Sequence, residues 1–254
     1  MTIQIHYAAL SDKGLRRRRN EDAYLTKKRS RQGWFSDNDI LLLAIADGLG
    51  GHACGEIASN MACDELGVFL DEISKRNIIN YAYHLKNKFR YIDHLLRTFT
   101  LTDRDCHNMA TTLSAIFLLK NRGVIAHVGD CRIYRYRRKN LQSLTRDHSL
   151  VQEMVEEGLL SVSAAERHPY KNKLRHVIGT SEQLERVDIK TVTLSAGDRY
   201  LLSTDGLHGE VGDEEIKKVL ATTATPQQAA EHLLALALQR GGSDNITAIA
   251  VFLE

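Results

Sequence analysis

The feature that most limits the fold is an unbroken apolar run, Ile40–Ala46, which ends at Asp47-Gly48. A strand that is apolar on both of its faces has to be covered on both faces. An apolar stretch meets Asp and Gly again at Gly129-Asp130 and at Asp205-Gly206. The sequence therefore predicts several buried strands whose ends carry carboxylates.

The order of the predicted elements indicates the fold class. Apolar runs predict strands at 5–10, 23–27, 40–46, 111–119, 123–128, 132–137, 187–194, 199–203 and 246–253. Apolar residues at helical spacing predict helices at 53–73, 81–99, 150–157, 213–220 and 226–239. This order is not the strand–helix alternation of a parallel doubly wound sheet. The expected fold is α+β, with antiparallel sheets inside and helices outside.

Composition argues against several classes of protein. The chain has 254 residues, of which 43% are hydrophobic and 26% are charged, and its 34 basic and 32 acidic side chains give a net charge of +2. This composition is typical of a globular protein, and the charges are too balanced for nucleic-acid binding to be the main function. No apolar run approaches the roughly 20 residues that span a bilayer. The first residues also lack the plan of a signal peptide. We expect a single cytoplasmic domain, 1–254.

Four cysteines are present: Cys54, Cys63, Cys106 and Cys131. They form no CxxC pair and have no regular spacing, so neither a disulfide framework nor a zinc site is indicated. The expectation is four reduced thiols in a cytosolic protein.

Five aspartates lie where a predicted strand meets a loop: Asp22, Asp47, Asp130, Asp205 and Asp244. A single Asp beside Gly is an ordinary turn, but five converging carboxylates would repel one another unless a cation lay among them. Carboxylate and carbonyl oxygens, together with waters, are the ligands of Mg²⁺ and Mn²⁺. The sequence predicts a two-cation centre of the kind that activates a bridging water.

Four consecutive arginines, Arg16–Arg19, directly precede Asn20-Glu21-Asp22. Such a run is most often a solvated patch, and it is a weak indication of nucleic-acid contact. Beside a metal centre, however, a planar guanidinium can bind the oxygens of a phosphate ester. At least one of these arginines is therefore a candidate for phosphate binding.

Eight motifs, in order along essentially the whole chain, resemble those of the PPM or PP2C family of metal-dependent protein serine/threonine phosphatases in its compact bacterial form. They are Ser11–Asp22, Ala46–His52, Gly55–Ser59, Met109–Leu113, Val128–Tyr134, Leu144–Ser149, Leu201–Leu207 and Gly241–Thr247. The resemblance implies a four-layer α-β-β-α sandwich, in which two packed antiparallel sheets are flanked by helix pairs.

The resemblance also implies the ligands of two Mn²⁺ or Mg²⁺ ions. Asp47 would bridge both ions, and the carbonyl of Gly48 would bind one of them. Asp205 and Asp244 would complete the shell of the first ion. Glu21 and Asp22 would act on the second ion, partly through waters. Asp130, with help from Asp205, matches a third and weaker site.

The resemblance also assigns roles to positions outside the metal ligands, and some of these positions depart from the family's pattern. Arg17 matches the arginine that binds the substrate phosphate. Leu49 stands where the eukaryotic branch has a histidine, so His52 is the candidate proton donor. Thr112 and Arg132 match motif positions that we interpret as structural support. Residues 157–175 fall where the family carries a mobile flap beside the site, whereas residues 75–107 match nothing specific to the family.

The implied function is hydrolysis of phosphoserine and phosphothreonine in proteins, which would reverse the action of a serine/threonine kinase. The expected partners are phosphorylated proteins and a cognate kinase pathway, without nucleic acid or membrane, and the expected state is a monomer. One alternative is a two-metal phosphoesterase acting on small phosphates. Another is a catalytically silent pseudophosphatase that binds phosphoproteins, which predicts the loss of metal carboxylates, and none is missing here.

Overall fold

The computed structural model describes residues 3–30, 39–50, 54–75, 80–107, 109–165 and 167–254. Within them, one sheet contains β1 (Ile5–Asp12), β7 (Arg132–Arg137), β8 (Asn140–Ser143), β10 (Arg199–Ser203) and β11 (Ile246–Leu253). The other contains β2 (Asp22–Ser30), β3 (Asp39–Leu49), β4 (Ala110–Thr111), β5 (Leu113–Leu119), β6 (Arg122–Val128) and β9 (Asp188–Thr193). The strand orders are β1-β11-β10-β7-β8 and β2-β3-β5-β6-β9, with β4 paired to β3. The paired strands run antiparallel.

The helices of the described residues are α1 (Cys54–Ser74), α2 (Tyr81–Thr102), α3 (Leu150–Glu156), α4 (Val162–Ala165), α5 (Asp205–His208), α6 (Asp213–Thr222) and α7 (Pro226–Gln239). A 3₁₀ turn, Arg104–Cys106, follows α2. Among these described helices, none combines the length and the apolar character that crossing a membrane requires.

The apolar run in β3 is buried because both faces of the strand are covered. The odd-numbered residues from Leu41 to Ile45 pack in the core between the two sheets. The even-numbered residues from Ile40 to Ala46 pack in a second core, against α1 and α2. This alternation explains why the strand is apolar without interruption.

A third core covers the opposite side of the molecule. There α6 and α7 pack on the outer face of the sheet that contains β10 and β11, with Leu233 and Phe252 among the buried side chains. The layers therefore run helices, sheet, sheet, helices. The predicted α+β class and the four-layer α-β-β-α sandwich are confirmed.

Three short elements were not predicted: β8, α4 and α5. Each is only four residues long, so neither a period of two nor one of 3.6 can be recognised in it. Of the three, α5 is the most important, because it begins at Asp205 and places a helical turn where the sequence predicts only the end of a strand.

The expectation of four reduced thiols is wrong for one pair. Cys54 and Cys106 form a disulfide across 52 residues, with their Cα atoms 5.4 Å apart. Cys63 and Cys131 are free and buried. The spacing along the chain could not indicate this pair, because the fold alone brings the start of α1 beside the 3₁₀ turn.

Candidate functional site

Asp22 lies where the two sheets meet. Its Cα pairs with that of Asp47 in the register of β2 and β3. The hydroxyls of Thr204 and Thr247 donate hydrogen bonds to Asp22 Oδ2 at 2.9 and 2.6 Å. Thr204 directly precedes Asp205, and Thr247 belongs to β11. These bonds place the strand ends of one sheet beside those of the other.

The backbone of Asp47 is held by a pair of threonines. The Asp47 N–H donates to Thr112 Oγ1 at 2.9 Å, and the Thr112 N–H donates to the Asp47 carbonyl at 2.9 Å. The Thr111 hydroxyl donates to the same carbonyl at 2.9 Å. These contacts support the interpretation of Thr112 as structural support.

Gly48 lies in a space that no side chain could share. A Cβ built on it would lie 2.1 Å from the carbonyl oxygen of Gly55 and 2.6 Å from that of Glu21. The Gly48 N–H donates to the Glu21 carbonyl at 3.1 Å, and the Ser59 hydroxyl donates to it at 2.6 Å. Glycine is required here because three backbone segments approach one another closely.

Arg17 and Asp244 form an ion pair beside these strand ends. Arg17 Nη2 lies 2.6 Å from Asp244 Oδ2, and about half of the arginine side chain is exposed. The pKa of Arg17 is raised, first by this hydrogen bond and then also by the nearby charges of Asp47 and Glu21. Of the four arginines in the run, Arg17 therefore has a guanidinium that faces the carboxylates.

Asn245 fixes the loop that carries the arginine run. Its side-chain amide donates to the carbonyls of Lys13 at 2.9 Å and Arg19 at 2.8 Å. Its Oδ1 accepts from the N–H of Glu21 at 2.8 Å. One buried side chain therefore ties both ends of the loop to the start of β11.

Asp130 follows β6 in a turn that is fixed by His148. The Gly129 N–H donates to His148 Nδ1 at 3.3 Å, and the His148 N–H donates to the Gly129 carbonyl at 2.7 Å. His148 Nε2 lies 3.2 Å from Asp188 Oδ2. Burial lowers the pKa of His148. A neutral ring that accepts at Nδ1 donates at Nε2 to Asp188.

The carboxylates at the strand ends have pKa values above the ordinary range. Burial, followed by neighbouring acidic charges, raises the pKa of Asp22 to about 7 and that of Asp205 to about 6. The pKa values of Asp47 and Asp130 are raised well above 3.8 for the same two reasons. Burial also raises the pKa of Glu21, against the opposing charge of Arg17.

These residues fit divalent cations. Asp22 Oδ1, Asp130 Oδ1 and Asp205 Oδ1 are buried and accept no hydrogen bond from the described part of the chain. A buried carboxylate oxygen without a partner is costly, and a cation supplies that partner. Among the described residues, no group of three or more His, Cys, Asp or Glu side chains stands in an arrangement that would by itself hold a metal ion. Mg²⁺ sites in proteins often use only one or two carboxylates and fill the remaining positions with waters.

The structure brings all seven predicted metal residues and Arg17 to one region. Besides burial, the charges of four neighbouring carboxylates raise the pKa of Asp47, and these are Asp22, Asp205, Asp130 and Asp244. Glu21 and Gly48 are joined by the hydrogen bond from the Gly48 N–H to the Glu21 carbonyl. The predicted proton donor His52 lies outside the described residues.

Several residues that hold the carboxylates, or the backbone beside them, by hydrogen bonds were not predicted from the sequence. They are Ser59, His148, Thr204, Asn245 and Thr247. All five lie inside the motifs quoted above, so the signal was present. It was missed because hydroxyl, amide and imidazole side chains beside an aspartate are also ordinary turn chemistry.

Asp93 gives the segment 75–107 a structural role. It is buried in α2, and its carboxylate accepts hydrogen bonds from the N–H groups of Gly179 at 3.0 Å and Leu184 at 3.2 Å. Thr111 and Ile178 exchange two backbone hydrogen bonds. Helix α2 therefore anchors the segment that returns from the predicted flap, next to the threonine that holds Asp47.

A family model described as "Protein phosphatase 2C" matches residues 16–239. The chain belongs to the protein phosphatase 2C family. Protein phosphatase PhpP of Streptococcus pneumoniae serotype 2 is 35% identical over 246 residues, which is 95% of each chain. The residues matched by the family model contain the whole carboxylate cluster except Asp244, which lies beyond residue 239.

Solved structures of this family are also similar. A serine/threonine phosphatase of S. agalactiae matches with a TM-score of 0.87 and 30% identity, over 99% of this chain and 100% of that one. The catalytic domain of the serine/threonine phosphatase PstP, solved in complex with two manganese ions, matches with a TM-score of 0.83 and 32% identity, over 99% of each chain.

Proposed function

We propose that this protein phosphatase 2C chain is a metal-dependent protein serine/threonine phosphatase, which hydrolyses phosphoserine and phosphothreonine in protein substrates. The observation that carries the proposal is the cluster of buried carboxylates, three of whose oxygens accept no hydrogen bond from the described residues, next to a half-exposed arginine. Cations satisfy the carboxylates, and the guanidinium provides a partner for the phosphate. The relatives' activity supports the same function.

The residues that would hold two Mn²⁺ or Mg²⁺ ions are Glu21, Asp22, Asp47, Gly48, Asp205 and Asp244, with Asp130 and Asp205 at a third, weaker site. When bound, the ions act as Lewis acids and activate the water that attacks phosphorus. Thr111, Thr112, Thr204 and Thr247 fix the ligands in place before any ion arrives.

Arg17 binds the phosphate of the substrate in this proposal. Its guanidinium is tied to Asp244 by one nitrogen, and half of the side chain remains exposed to an incoming ligand. A planar guanidinium can hold two phosphate oxygens and stabilise their charge in the transition state. His52 is proposed to protonate the leaving serine or threonine oxygen.

The reaction does not require a covalent phosphoenzyme intermediate on cysteine. Both free cysteines, Cys63 and Cys131, are buried, and burial raises the pKa values of their thiols. A cysteine nucleophile has to be an accessible thiolate. Direct attack by water on the phosphorus is the mechanism that this chain supports.

Several features extend this proposal. We infer that the chain is one domain, 1–254, that it acts as a cytoplasmic monomer, and that its substrates are phosphorylated by a cognate serine/threonine kinase. Phosphoproteomes of cells with the wild-type protein and with Asp47→Asn test this pathway. Sites that gain phosphate in the variant cells identify the substrates.

Asp47→Asn tests the proposed function. An amide carries no charge and cannot replace the carboxylate that would bind both cations, so we expect loss of Mn²⁺-dependent hydrolysis of p-nitrophenyl phosphate and of a phosphothreonine peptide. Calorimetric titration should show weaker Mn²⁺ binding. Asp71→Asn is the matched control, because Asp71 pairs with Lys27 and Arg29 at the surface, away from this cluster.

Retained turnover in a folded Asp47→Asn protein, verified by circular dichroism, would contradict the role of Asp47. A panel of nucleotides and small phosphate esters distinguishes the alternative phosphoesterase, which would prefer them to the peptide. A pseudophosphatase would bind the phosphopeptide without releasing phosphate.

A further inference from the structure

The disulfide between Cys54 and Cys106 lies beside the proposed metal residues. Cys54 is the first residue of α1, and its neighbour Gly55 contacts Gly48 so closely that a Cβ on Gly55 would lie 2.8 Å from the Gly48 oxygen. That Cβ would also lie 2.8 Å from Glu21 Oε1. The position of Cys54 is thus coupled directly to that of Gly48 and Glu21.

Cys106 is connected to the other side of the same strand end. The Met109 N–H donates to the Cys106 carbonyl at 3.0 Å. Strand β4 follows, and in it Thr111 pairs with Gly48 and donates its hydroxyl to the carbonyl of Asp47. The disulfide therefore joins the two segments that flank Asp47 and Gly48.

We propose that Cys54–Cys106 is a redox modification site, at which exchange with low-molecular-weight thiols and disulfides sets the affinity of the neighbouring site for divalent cations. This inference rests on the proposed function for the existence of the cation site. The oxidised form fixes the separation of the two flanking segments, so less conformational freedom is lost when an ion binds. We expect the oxidised protein to bind Mn²⁺ more tightly.

The chemistry is thiol–disulfide exchange with a glutathione-type couple. In reduction, an external thiolate attacks one sulfur of the disulfide, and the other sulfur leaves as a thiolate that takes up a proton. A second external thiolate then attacks the mixed disulfide, which yields two protein thiols and one oxidised external disulfide. Two electrons pass to the protein. Oxidation is the reverse, with oxidised glutathione as the oxidant.

The surroundings of the pair allow this exchange. Each cysteine is 4% exposed, so attack requires a local opening, and the adjoining 3₁₀ turn is only three residues long. Local openings of this size occur at free energies well below that of global unfolding.

The test compares protein equilibrated with oxidised glutathione and protein reduced with a phosphine, both freed of reagent. Differential alkylation and mass spectrometry should locate the change at Cys54 and Cys106. Calorimetric titration with Mn²⁺ should show tighter binding to the oxidised form, by roughly 5- to 150-fold, the usual range for coupled sites. By linkage, Mn²⁺ should shift the thiol–disulfide equilibrium toward the disulfide by the same factor.

Matched variants separate this pair from the other cysteines. Cys54→Ser and Cys106→Ser cannot form the intramolecular disulfide, so each should bind Mn²⁺ like the reduced wild type, and oxidised glutathione should not tighten that binding, whereas Cys63→Ser should keep the full response. Equal Mn²⁺ affinity in the oxidised and reduced wild type would overturn the proposal, and this comparison requires no variant. Oxidation confined to Cys63 or Cys131 would also overturn it.

Failure of the proposed function has a different signature. If neither form hydrolyses the phosphothreonine peptide but their Mn²⁺ affinities differ, the redox proposal is supported and the proposed phosphatase function is wrong. If both forms hydrolyse the peptide and bind Mn²⁺ equally, the proposed function is supported and the redox proposal is wrong.

Discussion

Asp22 combines a structural and a chemical role in a single carboxylate. Oδ2 accepts hydrogen bonds from two threonine hydroxyls, whereas Oδ1 is buried and accepts none from the described residues. Burial favours the neutral acid and raises the pKa to about 7. In the absence of cations, ionised Asp22 therefore destabilises the folded protein near neutral pH.

We predict that Asp22→Asn stabilises the metal-free protein at pH 8. Because folding raises the pKa of Asp22 from 3.8 to about 7, the folded state holds this proton more tightly than the unfolded chain. The resulting stability is complete below about pH 4 and is lost as the pH rises through about 7. The variant does not lose this stability, because its amide does not ionise. Its amide oxygen can still accept hydrogen bonds from both threonines.

The measurement is urea denaturation of the metal-free proteins at pH 4.5 and pH 8. The free energy of unfolding of the variant should exceed that of the wild type by about 2–4 kcal/mol at pH 8, since each unit of pKa shift corresponds to about 1.4 kcal/mol. The difference should be much smaller at pH 4.5. Asp39→Asn is the control, because Lys28 and Ser30 lower the pKa of this exposed carboxylate. A difference between Asp22→Asn and wild type that does not change with pH would contradict the prediction.

Arg17 permits a second prediction at this scale. Arg17→Ala removes charge-assisted hydrogen bonds to the substrate phosphate, each worth about 1.5–3 kcal/mol. The KM for a phosphothreonine peptide should rise about 10- to 100-fold, with a smaller rise for Arg17→Lys, which keeps the charge but not the planar fork. Arg18→Ala, in the same run, is the control.

Mn²⁺ affinity distinguishes phosphate binding from a purely structural role for Arg17. Removal of a cation beside Asp244 should leave Mn²⁺ binding unchanged or tighter. Weaker Mn²⁺ binding in Arg17→Ala would mean that the arginine holds Asp244 in place instead of binding phosphate.

At the scale of elements, the loop between β1 and β2 depends on a residue far away in sequence. Asn245 binds the loop at Lys13, Arg19 and Glu21, and Gly206 packs so closely on Asn245 that a Cβ on the glycine would lie 2.0 Å from its carbonyl oxygen. The start of α5, the end of the arginine run and the start of β11 are thereby held as one unit.

Asn245→Ala should loosen this unit. Three hydrogen bonds are lost and their buried backbone partners are left unpaired, so we expect a loss of about 2–4 kcal/mol in the free energy of unfolding. The KM for the phosphopeptide should also rise, because Arg17 lies in the released loop. Asn60→Ala is the control, since the side chain of Asn60 donates to the carbonyl of Glu56 on an exposed helix face. Unchanged stability would show that the loop is held by other contacts.

For the whole molecule, the site lies at the seam between two sheets that have separate outer cores. Residues from β2 and β3 meet residues from β10, β11 and α5 across this seam. Cations that bind carboxylates from both sheets should therefore stabilise the entire folded molecule and not only a loop.

Mn²⁺ should accordingly raise the melting temperature of the wild type. At a free concentration of 100 times Kd, binding contributes about 2.7 kcal/mol, which corresponds to roughly 5–10 °C for a protein of this size. Addition of EDTA should reverse the shift. Asp47→Asn is the control and should show little shift; an equal shift in this variant would place the stabilising ion elsewhere.

The sequence by itself determined the α+β class, nearly all long elements and the identity of the candidate ligands. Apolar periodicity reports which faces of a strand or helix are buried, and the Asp-Gly ends of buried strands are visible because burial is dictated locally by hydrophobicity. The ordered motifs then carried the resemblance to the family.

Only the tertiary structure decided which distant groups meet. The pairing of Cys54 with Cys106, the hydroxyls of Thr204 and Thr247 on Asp22, and the role of Asn245 join residues separated by up to 232 positions. Hydrogen bonds and disulfides depend on geometry across a few ångströms. The periodicity of apolar residues along the chain does not determine that geometry. Hydrophobic burial is non-directional and can be read from local sequence, whereas these directional contacts exist only after the two sheets have packed.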